Sequence, residues 1–192
     1  MKLSILMCSI PTRFAMMQKF YTKLLNQVGN EDVEILCMID NKKRTIGDKR
    51  NALVVAARGD YLAFIDDDDD VYDNFISELL IGIRSNADVI VFNEICTFNG
   101  ENTFIVRPGI EYQNEPTRKV NGLWVDIKRK PWHWCVWKSS IAKTERVPDM
   151  SNGEDELWCR RLLPKVKTQH RIDKVLRKYI YNDKVSDHGD KK

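Results

Sequence analysis

The chain has 192 residues, of which 43% are hydrophobic and 31% are charged, and its formal net charge is +3. This composition excludes a disordered chain, and no apolar run reaches the roughly 18 residues needed to span a bilayer. The five cysteines form no CxxC pair, which argues against a structural zinc site. We expect a single domain over residues 1–192, in the cytoplasm because the N-terminus shows no export signal.

Charge is unevenly distributed along the chain. Residues 1–105 contain 11 Lys and Arg against 16 Asp and Glu, whereas residues 106–192 contain 20 against 12. The basic second part could face an anionic partner, such as a diphosphate, nucleic acid or a lipid surface. A solvated basic surface without a partner is the alternative.

Hydrophobic spacing predicts alternating strands and helices in the first part of the chain. In chain order we expect a strand at 2–10, a helix at 14–28, a strand at 33–40, a helix at 47–59, a strand at 60–66, a helix at 71–85 and a strand at 87–92. This alternation is typical of parallel strands with crossover helices, and therefore of an α/β domain with a Rossmann-like sheet flanked by helices. Ligands of such sheets bind beyond the carboxyl ends of the strands.

The second part of the chain is less regular. Asn99 and Gly100 form a turn signal that predicts a hairpin over 94–107. Beyond it we expect a strand leading into a turn in "KPWHWCVWKSSI", a short helix in "NGEDELWCRRLLP" and a late strand in "KVLRKYIYN".

Five consecutive aspartates, residues 66–70, follow the third predicted strand. Adjacent carboxylates repel one another, so their position suggests a bound cation. Mg²⁺ and Mn²⁺ prefer oxygen ligands and accept one or two carboxylates together with substrate phosphates. Alternate residues of a strand share a face, so Asp66 and Asp68 could point into one metal site while Asp67 faces elsewhere. A solvated acidic turn is the alternative.

The segment "IGDKRNALVVAARGDYLAFIDDDDD" resembles the core signature of family 2 glycosyltransferases of the GT-A fold. The matching parts are Arg50-Asn51, residues 57–61, the apolar strand 62–65 and the acidic residues 66–69, in the family's order and spacing. Further along, "GEDELWCRRL" is similar to the segment that opens a helix and carries the family's catalytic base. The resemblance covers roughly residues 1–163.

The resemblance implies inverting transfer of a sugar from a nucleotide-sugar, usually a UDP-sugar, with Mn²⁺ or Mg²⁺. It implies Asp66 and Asp68 as the family's DxD pair and the metal ligands, with Asp68 as the better candidate for direct metal contact. It also implies contacts of Thr12 and Asp40 with the nucleoside. The predicted donor-binding residues are Pro11, Thr12, Arg13, Asp40, Lys49, Arg50, Asp66 and Asp67.

The same resemblance assigns the general base to Asp155, with Glu154 beside it. A leaving diphosphate and an attacking hydroxyl require, respectively, a cation and a carboxylate that accepts the proton. Simple helix N-terminal charge is the alternative interpretation of the two acids. His188 is a further candidate metal ligand, because some GT-A enzymes use a late histidine.

Trp132, His133 and Trp134 are the candidate acceptor-binding residues, since tryptophan faces commonly stack on sugars or bases. Core packing is the alternative. If this segment is a strand, Trp132 and Trp134 share one face and His133 takes the other.

One departure from the family pattern is the basic loop "DNKKRTIGDKRN", where the family usually has Asp-Gly-Ser. Lys42, Lys43, Arg44 and Lys49 could contact the diphosphate or an anionic acceptor. No membrane helix is predicted, so transfer of a single sugar fits better than a polymerising synthase.

The acceptor is the least determined part of the prediction. A saccharide or lipid-linked glycan is the first expectation, and hydroxymethylated bases in double-stranded DNA are the second, as for some bacteriophage enzymes. The basic part could contact DNA phosphates. From other classes, a nucleotidyltransferase would need a glycine-rich loop that "SIPTRFAMM" lacks, and a non-catalytic binding module would have no use for Asp155.

Overall fold

The computed structural model describes residues 1–181, which form a mixed α/β structure around a nine-stranded sheet. The strands are β1 (Leu3–Ser9), β2 (Val33–Ile39), β3 (Tyr61–Asp66), β4 (Asp70–Val71), β5 (Val89–Phe98), β6 (Glu101–Pro108), β7 (Lys119–Val120), β8 (Leu123–Trp124), β9 (Ile127–Arg129), β10 (Val136–Lys138) and β11 (Gln169–Tyr181). The α-helices are α1 (Phe14–Val28), α2 (Ile46–Ala56), α3 (Phe75–Ile83), α4 (Ser139–Ala142) and α5 (Glu154–Leu162), and short 3₁₀ helices lie at Pro11–Arg13 and Leu163–Lys165.

The sheet combines parallel and antiparallel pairs. Its main order is β2-β1-β3-β10-β5-β11-β4, and β6 joins β5 to β9. Strands β2, β1 and β3 are parallel, as the sequence predicts, and β11 runs parallel to β5. The predicted fourth strand, β5, is not a direct neighbour of β3, because β10 lies between them and pairs antiparallel with both.

Burial explains why the first elements were predictable. Strand β1 is buried along almost its whole length, as expected for a central strand covered on both faces. Helix α1 buries Met17, Phe20, Leu24 and Val28, one or two per turn, and ends before Gly29, which has φ +52°. The predicted helix over 14–28 is therefore confirmed.

The helix predicted over 71–85 is wrong in its first turn. Asp70 and Val71 form β4 instead and pair with β11, and α3 begins only at Phe75. Val71 is fully buried in this strand. Its apolar side chain fits the helical spacing, but the pairing with a strand more than 100 residues away determines its conformation.

The hairpin predicted at Asn99 and Gly100 is confirmed. Both residues have positive φ, +51° and +91°, which suits the tight turn joining β5 to β6. Strand β5 extends to Phe98, beyond the predicted end, because β6 and β11 both pair with its second half.

The two parts of the chain share one sheet. Strands β10 and β11 come from the basic second part and pair with β3 and β5 of the acidic first part, which supports the proposal of a single domain. Among residues 1–181, no helix combines the length and the apolar character that crossing a membrane requires.

Candidate functional site

The carboxyl ends of the parallel strands meet at one edge of the sheet. Ser9 pairs with Ile39 of β2, and Cys8 pairs with Asp66 of β3, so the segments after these strands start side by side. The 3₁₀ helix Pro11–Arg13 follows β1 directly. Its Pro11 and Thr12 are exposed, and Arg13 turns toward the aspartates.

Asp66 is the centre of a network of cationic side chains. Its Oδ1 accepts a hydrogen bond from Arg50 at 3.1 Å, and its Oδ2 lies 3.3 Å from Nε2 of His133 and 3.4 Å from Arg177. Burial alone would raise the pKa of Asp66, but His133, Arg50 and Arg177 together lower it. Asp66 therefore carries a negative charge at neutral pH.

Asp67 and Asp68 share the guanidinium of Arg13. Nη1 of Arg13 lies 2.9 Å from Asp67 and 3.1 Å from Asp68, and Ser9 donates a hydrogen bond of 2.5 Å to Asp67. The side chain of Asp67 is 4% exposed and that of Asp68 is 22% exposed. The pKa of Asp68 is raised, mainly by burial and to a smaller extent by repulsion from Asp66, whereas Arg13 acts in the opposite direction.

The last two aspartates of the run have structural partners. Asp69 pairs with Arg177 and also accepts a hydrogen bond from the Ile180 amide at 3.2 Å. Asp70 accepts a hydrogen bond of 2.8 Å from Lys23 of α1. Asp69 therefore links the acidic run to β11, and Asp70 links β4 to α1.

Lys49 of α2 forms an ion pair with Asp40, the residue that follows β2. Nζ of Lys49 lies 2.9 Å from Asp40 and donates to the Ser9 carbonyl at 3.3 Å. Asp40 also accepts a hydrogen bond of 2.8 Å from the Arg44 amide. The hydrogen bond from Lys49 lowers the pKa of Asp40, and Lys49 itself is 3% exposed.

Asp155 lies in the first turn of α5 and contacts two of the aromatic residues. Its Oδ2 accepts a hydrogen bond from the Trp132 indole at 3.2 Å and lies 3.0 Å from Nδ1 of His133, while its Oδ1 accepts from the Glu156 amide at 2.8 Å. Burial would raise the pKa of Asp155, but His133, Arg50 and this amide lower it well below the ordinary value. The adjacent carboxylates raise the pKa of His133 against its own burial.

Glu154 has a different environment from Asp155. Its carboxylate is 6% exposed and pairs with Nη1 of Arg50 at 3.1 Å. Burial raises the pKa of Glu154, and Arg50 opposes that shift. Arg50, which is itself buried, therefore joins Glu154 of α5 to Asp66 of β3.

Two cavities meet at Asp66. The larger, of about 680 Å³, includes Arg13, Lys49, Asp67 and Asp68 in its lining, together with the basic loop residues Lys42 and Arg44. The smaller, of about 480 Å³, is lined in part by Arg129, Trp132, His133, Trp134, Glu154 and Asp155. Asp66, Ser151, Asn152 and Tyr179 line both cavities.

The expected alternation of the aromatic residues is wrong. Residues 132–135 form a turn before β10, so Trp132 and His133 both contact Asp155. Trp134 is 2% exposed and packs against Phe92, with only a small part of its surface at the smaller cavity. The predicted metal ligand His188 lies outside the described residues.

The sequence did not single out Arg177. This side chain is 2% exposed and contacts Asp66, Asp69 and Glu94. The segment around Arg177 has the alternating pattern of a strand. The local sequence does not show that this strand pairs with β5, which brings Arg177 into contact with Asp66 and Asp69.

The acidic residues 66–70 could bind a divalent cation only if a bound phosphate supplied further oxygen ligands. Among residues 1–181, no three His, Cys, Asp or Glu side chains are close enough to hold a metal by themselves. Asp68 is partly exposed, and repulsion from Asp66 contributes to its raised pKa, which a cation would relieve. Two carboxylates suffice for Mg²⁺ or Mn²⁺ when phosphate oxygens complete the coordination.

The chain has the GT-A fold of glycosyltransferases. Its sheet is mixed, and acidic residues lie at the carboxyl ends of the parallel strands, next to the two cavities. Residues 34–134 match glycosyl transferase family 2. The match covers just over half of the chain, and the chain belongs to this family. No curated protein sequence matches it.

The solved structures most similar to the chain include those of TarS from S. aureus. TarS 1–349 gives a TM-score of 0.66 at 13% identity, covering 94% of this chain and 60% of that one. Its complex with UDP-GlcNAc gives 0.65 at 15% identity, covering 99% and 60%, and its complex with UDP gives 0.65 at 15%, covering 94% and 60%. This likeness establishes the fold, and the chain spans about 60% of the length of these TarS structures.

Proposed function

We propose that the chain transfers one sugar from a UDP-sugar to a hydroxyl group of an acceptor, with inversion at the anomeric carbon. The observation that carries the proposal is the position of Asp66 between the two cavities, connected through His133 to Asp155. A donor in the larger cavity and an acceptor in the smaller one would meet between these two carboxylates.

The larger cavity suits a nucleoside diphosphate. Its lining includes Arg13, Arg44 and Lys49, which pair with aspartates in this structure and could exchange those partners for phosphate oxygens. The TarS structure with UDP-GlcNAc, which has the same fold, supports a UDP-sugar as donor. Pro11, Thr12 and Asp40 remain the proposed contacts of the nucleoside.

We further propose that Asp66 and Asp68 hold Mn²⁺ or Mg²⁺ together with the diphosphate. Such a cation supplies positive charge that stabilises the diphosphate as it leaves. Arg13, which pairs with Asp68, would then move toward the phosphates.

Asp155 is the proposed general base. As the acceptor oxygen forms its bond to the anomeric carbon, the bond from that carbon to the diphosphate oxygen breaks, and Asp155 takes the proton of the hydroxyl. His133 keeps Asp155 ionised, and the Trp132 indole fixes the orientation of its carboxylate. Glu154, which is paired with Arg50, holds the start of α5 next to the sheet.

The proposed division of the chain assigns donor and metal binding to residues 1–105 and acceptor binding to residues 106–192. Strand β11 adds Tyr179 and Ile180 to the larger cavity, so the second part also contributes to the donor side. The five cysteines are free thiols, which supports the cytoplasm as the compartment of the reaction.

A saccharide or lipid-linked glycan is the first proposed acceptor. Modified bases in double-stranded DNA are the second, favoured by exposed cations that are adjacent in sequence to residues of the smaller cavity. Thr117, Ile127 and Arg129 line the smaller cavity, and the neighbouring Arg118 and Lys128 are exposed cations. These cations could contact the phosphates of a polyanion.

The test combines binding with turnover. The proteins are wild type, Asp155→Asn and the control Glu156→Gln. Binding of UDP and UDP-sugars to each is measured with Mg²⁺ and with EDTA. Turnover is then measured as release of UDP with glycan and DNA acceptors. Asp155→Asn should bind UDP normally and lose roughly 10²–10⁴-fold in turnover, whereas Glu156→Gln should retain activity. If UDP binds and Asp155→Asn turns over as fast as wild type, Asp155 is not the base.

A further inference from the structure

Arg129 is the last residue of β9 and lines the smaller cavity, which Asp66 also lines. Its guanidinium carbon lies 4.2 Å from the centre of the Trp132 ring. A guanidinium that rests on an aromatic face keeps its N–H groups available for a planar anion such as a phosphate or carboxylate.

Among residues 1–181, Arg129 differs from the other arginines around the site because it has no carboxylate within ion-pair distance. Arg50 pairs with Asp66 and Glu154, and Arg177 pairs with Asp66, Asp69 and Glu94. Nε of Arg129 is buried and forms no hydrogen bond with the described part of the chain.

Among the described residues no carboxylate forms an ion pair with Arg129, although the negative charge of Asp155 favours its charged form from a longer distance. The neighbouring thiols of Cys96 and Cys135 have pKa values raised by burial to about 12, so they are uncharged at neutral pH. Burial lowers the pKa of Arg129, but an arginine stays protonated under physiological conditions. A partly buried, unpaired cation is unfavourable unless an anion joins it.

We propose that Arg129 binds an oxyanion of the acceptor, a phosphate or a carboxylate, next to the hydroxyl that receives the sugar. This inference rests on the proposed function and specifies the acceptor class as anionic. Of the described Arg, Lys and His side chains that line this cavity, Arg177 and His133 are paired with carboxylates, and Arg129 is not.

Trp132 determines how the two ends of such an acceptor would be arranged. Its ring face supports Arg129, and its indole N–H donates to Asp155 at 3.2 Å. The hydroxyl would lie at Asp155, beside the indole N–H, and the oxyanion at Arg129, over the ring face. The negative charge of Asp155 repels the oxyanion, which keeps the acceptor in this orientation.

The experiment follows the Trp132 indole signal by NMR of ¹⁵N-labelled protein, assigned with Trp132→Phe. Mg²⁺ and UDP are added first at saturation, so that the phosphate sites of the larger cavity are filled. Methyl phosphate, glucuronate and uncharged methyl glucoside are then titrated. One of the two anions should shift the Trp132 signal saturably, and methyl glucoside at the same concentration should not.

Three variants test whether Arg129 is responsible for anion binding. Arg129→Gln should weaken anion binding roughly tenfold or more, as expected for loss of a charge-assisted hydrogen bond. Arg129→Lys should retain part of it, and it replaces the glutamine variant if that one unfolds. Arg107→Gln removes an arginine that is paired with Asp126 outside the cavity, and should bind like wild type.

The outcomes separate the inference from the function on which it rests. A response to methyl phosphate alone assigns a phosphate-bearing acceptor, and a response to glucuronate alone assigns an acidic sugar. Equal binding by Arg129→Gln and wild type, or no shift with either anion, overturns the inference even when UDP binds and turns over. If UDP fails to bind in the first step, it is the proposed function that fails.

Discussion

The imidazole of His133 contacts the carboxylate of Asp155, with Nδ1 3.0 Å from Oδ2. The opposite ring nitrogen lies 3.3 Å from Asp66, so one buried side chain links Asp66 of β3 to Asp155 of α5. The sequence suggested His133 as an acceptor-binding residue. Its contacts indicate that it positions the proposed base and holds it ionised.

Replacing His133 by glutamine should slow transfer without weakening donor binding. Glutamine has an N–H donor but lacks the positive charge of His133 that lowers the pKa of Asp155. Loss of this charge-assisted interaction costs about 1.5–3 kcal/mol, so kcat should fall roughly ten- to hundredfold. Because the pKa of Asp155 rises in the variant, the acidic limb of the kcat/KM profile should move to higher pH. An unchanged limb would show that His133 does not control the ionisation of Asp155.

The neighbouring aspartates Asp67 and Asp68 should respond differently to the same substitution. Asp68→Asn should remove the Mg²⁺-dependent part of UDP binding and leave the unfolding midpoint nearly unchanged, since this side chain is partly exposed. Asp67→Asn should lower the free energy of unfolding by about 1–3 kcal/mol, because the buried carboxylate accepts from Ser9 and Arg13.

Thermal unfolding with and without UDP and Mg²⁺ measures both effects of these substitutions. Asp73→Asn, on a side chain that is 97% exposed, serves as the control. Equal UDP binding by Asp68→Asn with Mg²⁺ and with EDTA is the expected result. A full Mg²⁺ effect in that variant would remove Asp68 from the cation site.

The fold was predictable where local pattern and tertiary packing agree. Helix α1 and strands β1 to β3 follow from apolar spacing, because each buries one continuous set of side chains. Gly59 of the family signature also has a packing reason, since a Cβ there would lie 2.6 Å from the Ser4 amide nitrogen. Strand β4 was missed because Val71 is held by a strand that follows it by a hundred residues.

The candidate site was predictable only where the family signature marks it. Asp66, Asp68 and Asp155 were selected from their sequence context. Arg177 and Tyr179 were not, because they reach the site through the pairing of β11 with β5, which no short-range pattern specifies. Long-range strand pairing, rather than local propensity, determines which cations neutralise the acidic run.

Removing Arg177 should destabilise the protein strongly. Its guanidinium contacts Asp66, Asp69 and Glu94, and two of these carboxylates are almost fully buried. Arg177→Met would leave buried charges without a partner, at a cost of about 3–5 kcal/mol. Urea unfolding at neutral pH measures the loss, and Lys178→Gln, on the exposed side of the same strand, should cost well under 1 kcal/mol. A small loss in Arg177→Met would mean that water reaches the carboxylates.

The hydrogen bonds of Glu34 should make part of the stability depend on pH. Its carboxylate accepts from the Ser4 hydroxyl at 2.7 Å, from the Arg58 amide at 2.6 Å and from the Arg58 side chain. Burial opposes ionisation, but these donors lower the pKa of Glu34 below the ordinary 4.5.

Because the folded-state pKa of Glu34 is lowered, its contribution is fully present above pH 4.5 and is lost as the pH falls through the folded-state value. Glu34→Gln should therefore cost about 2 kcal/mol at pH 7, and the difference from wild type should shrink below pH 4.5. Urea unfolding of both proteins between pH 3 and pH 7 tests this. Asp32→Asn, next to the same strand but half exposed, is the control. A difference that stays constant over this range would show that Glu34 stabilises the fold through packing rather than through its charge.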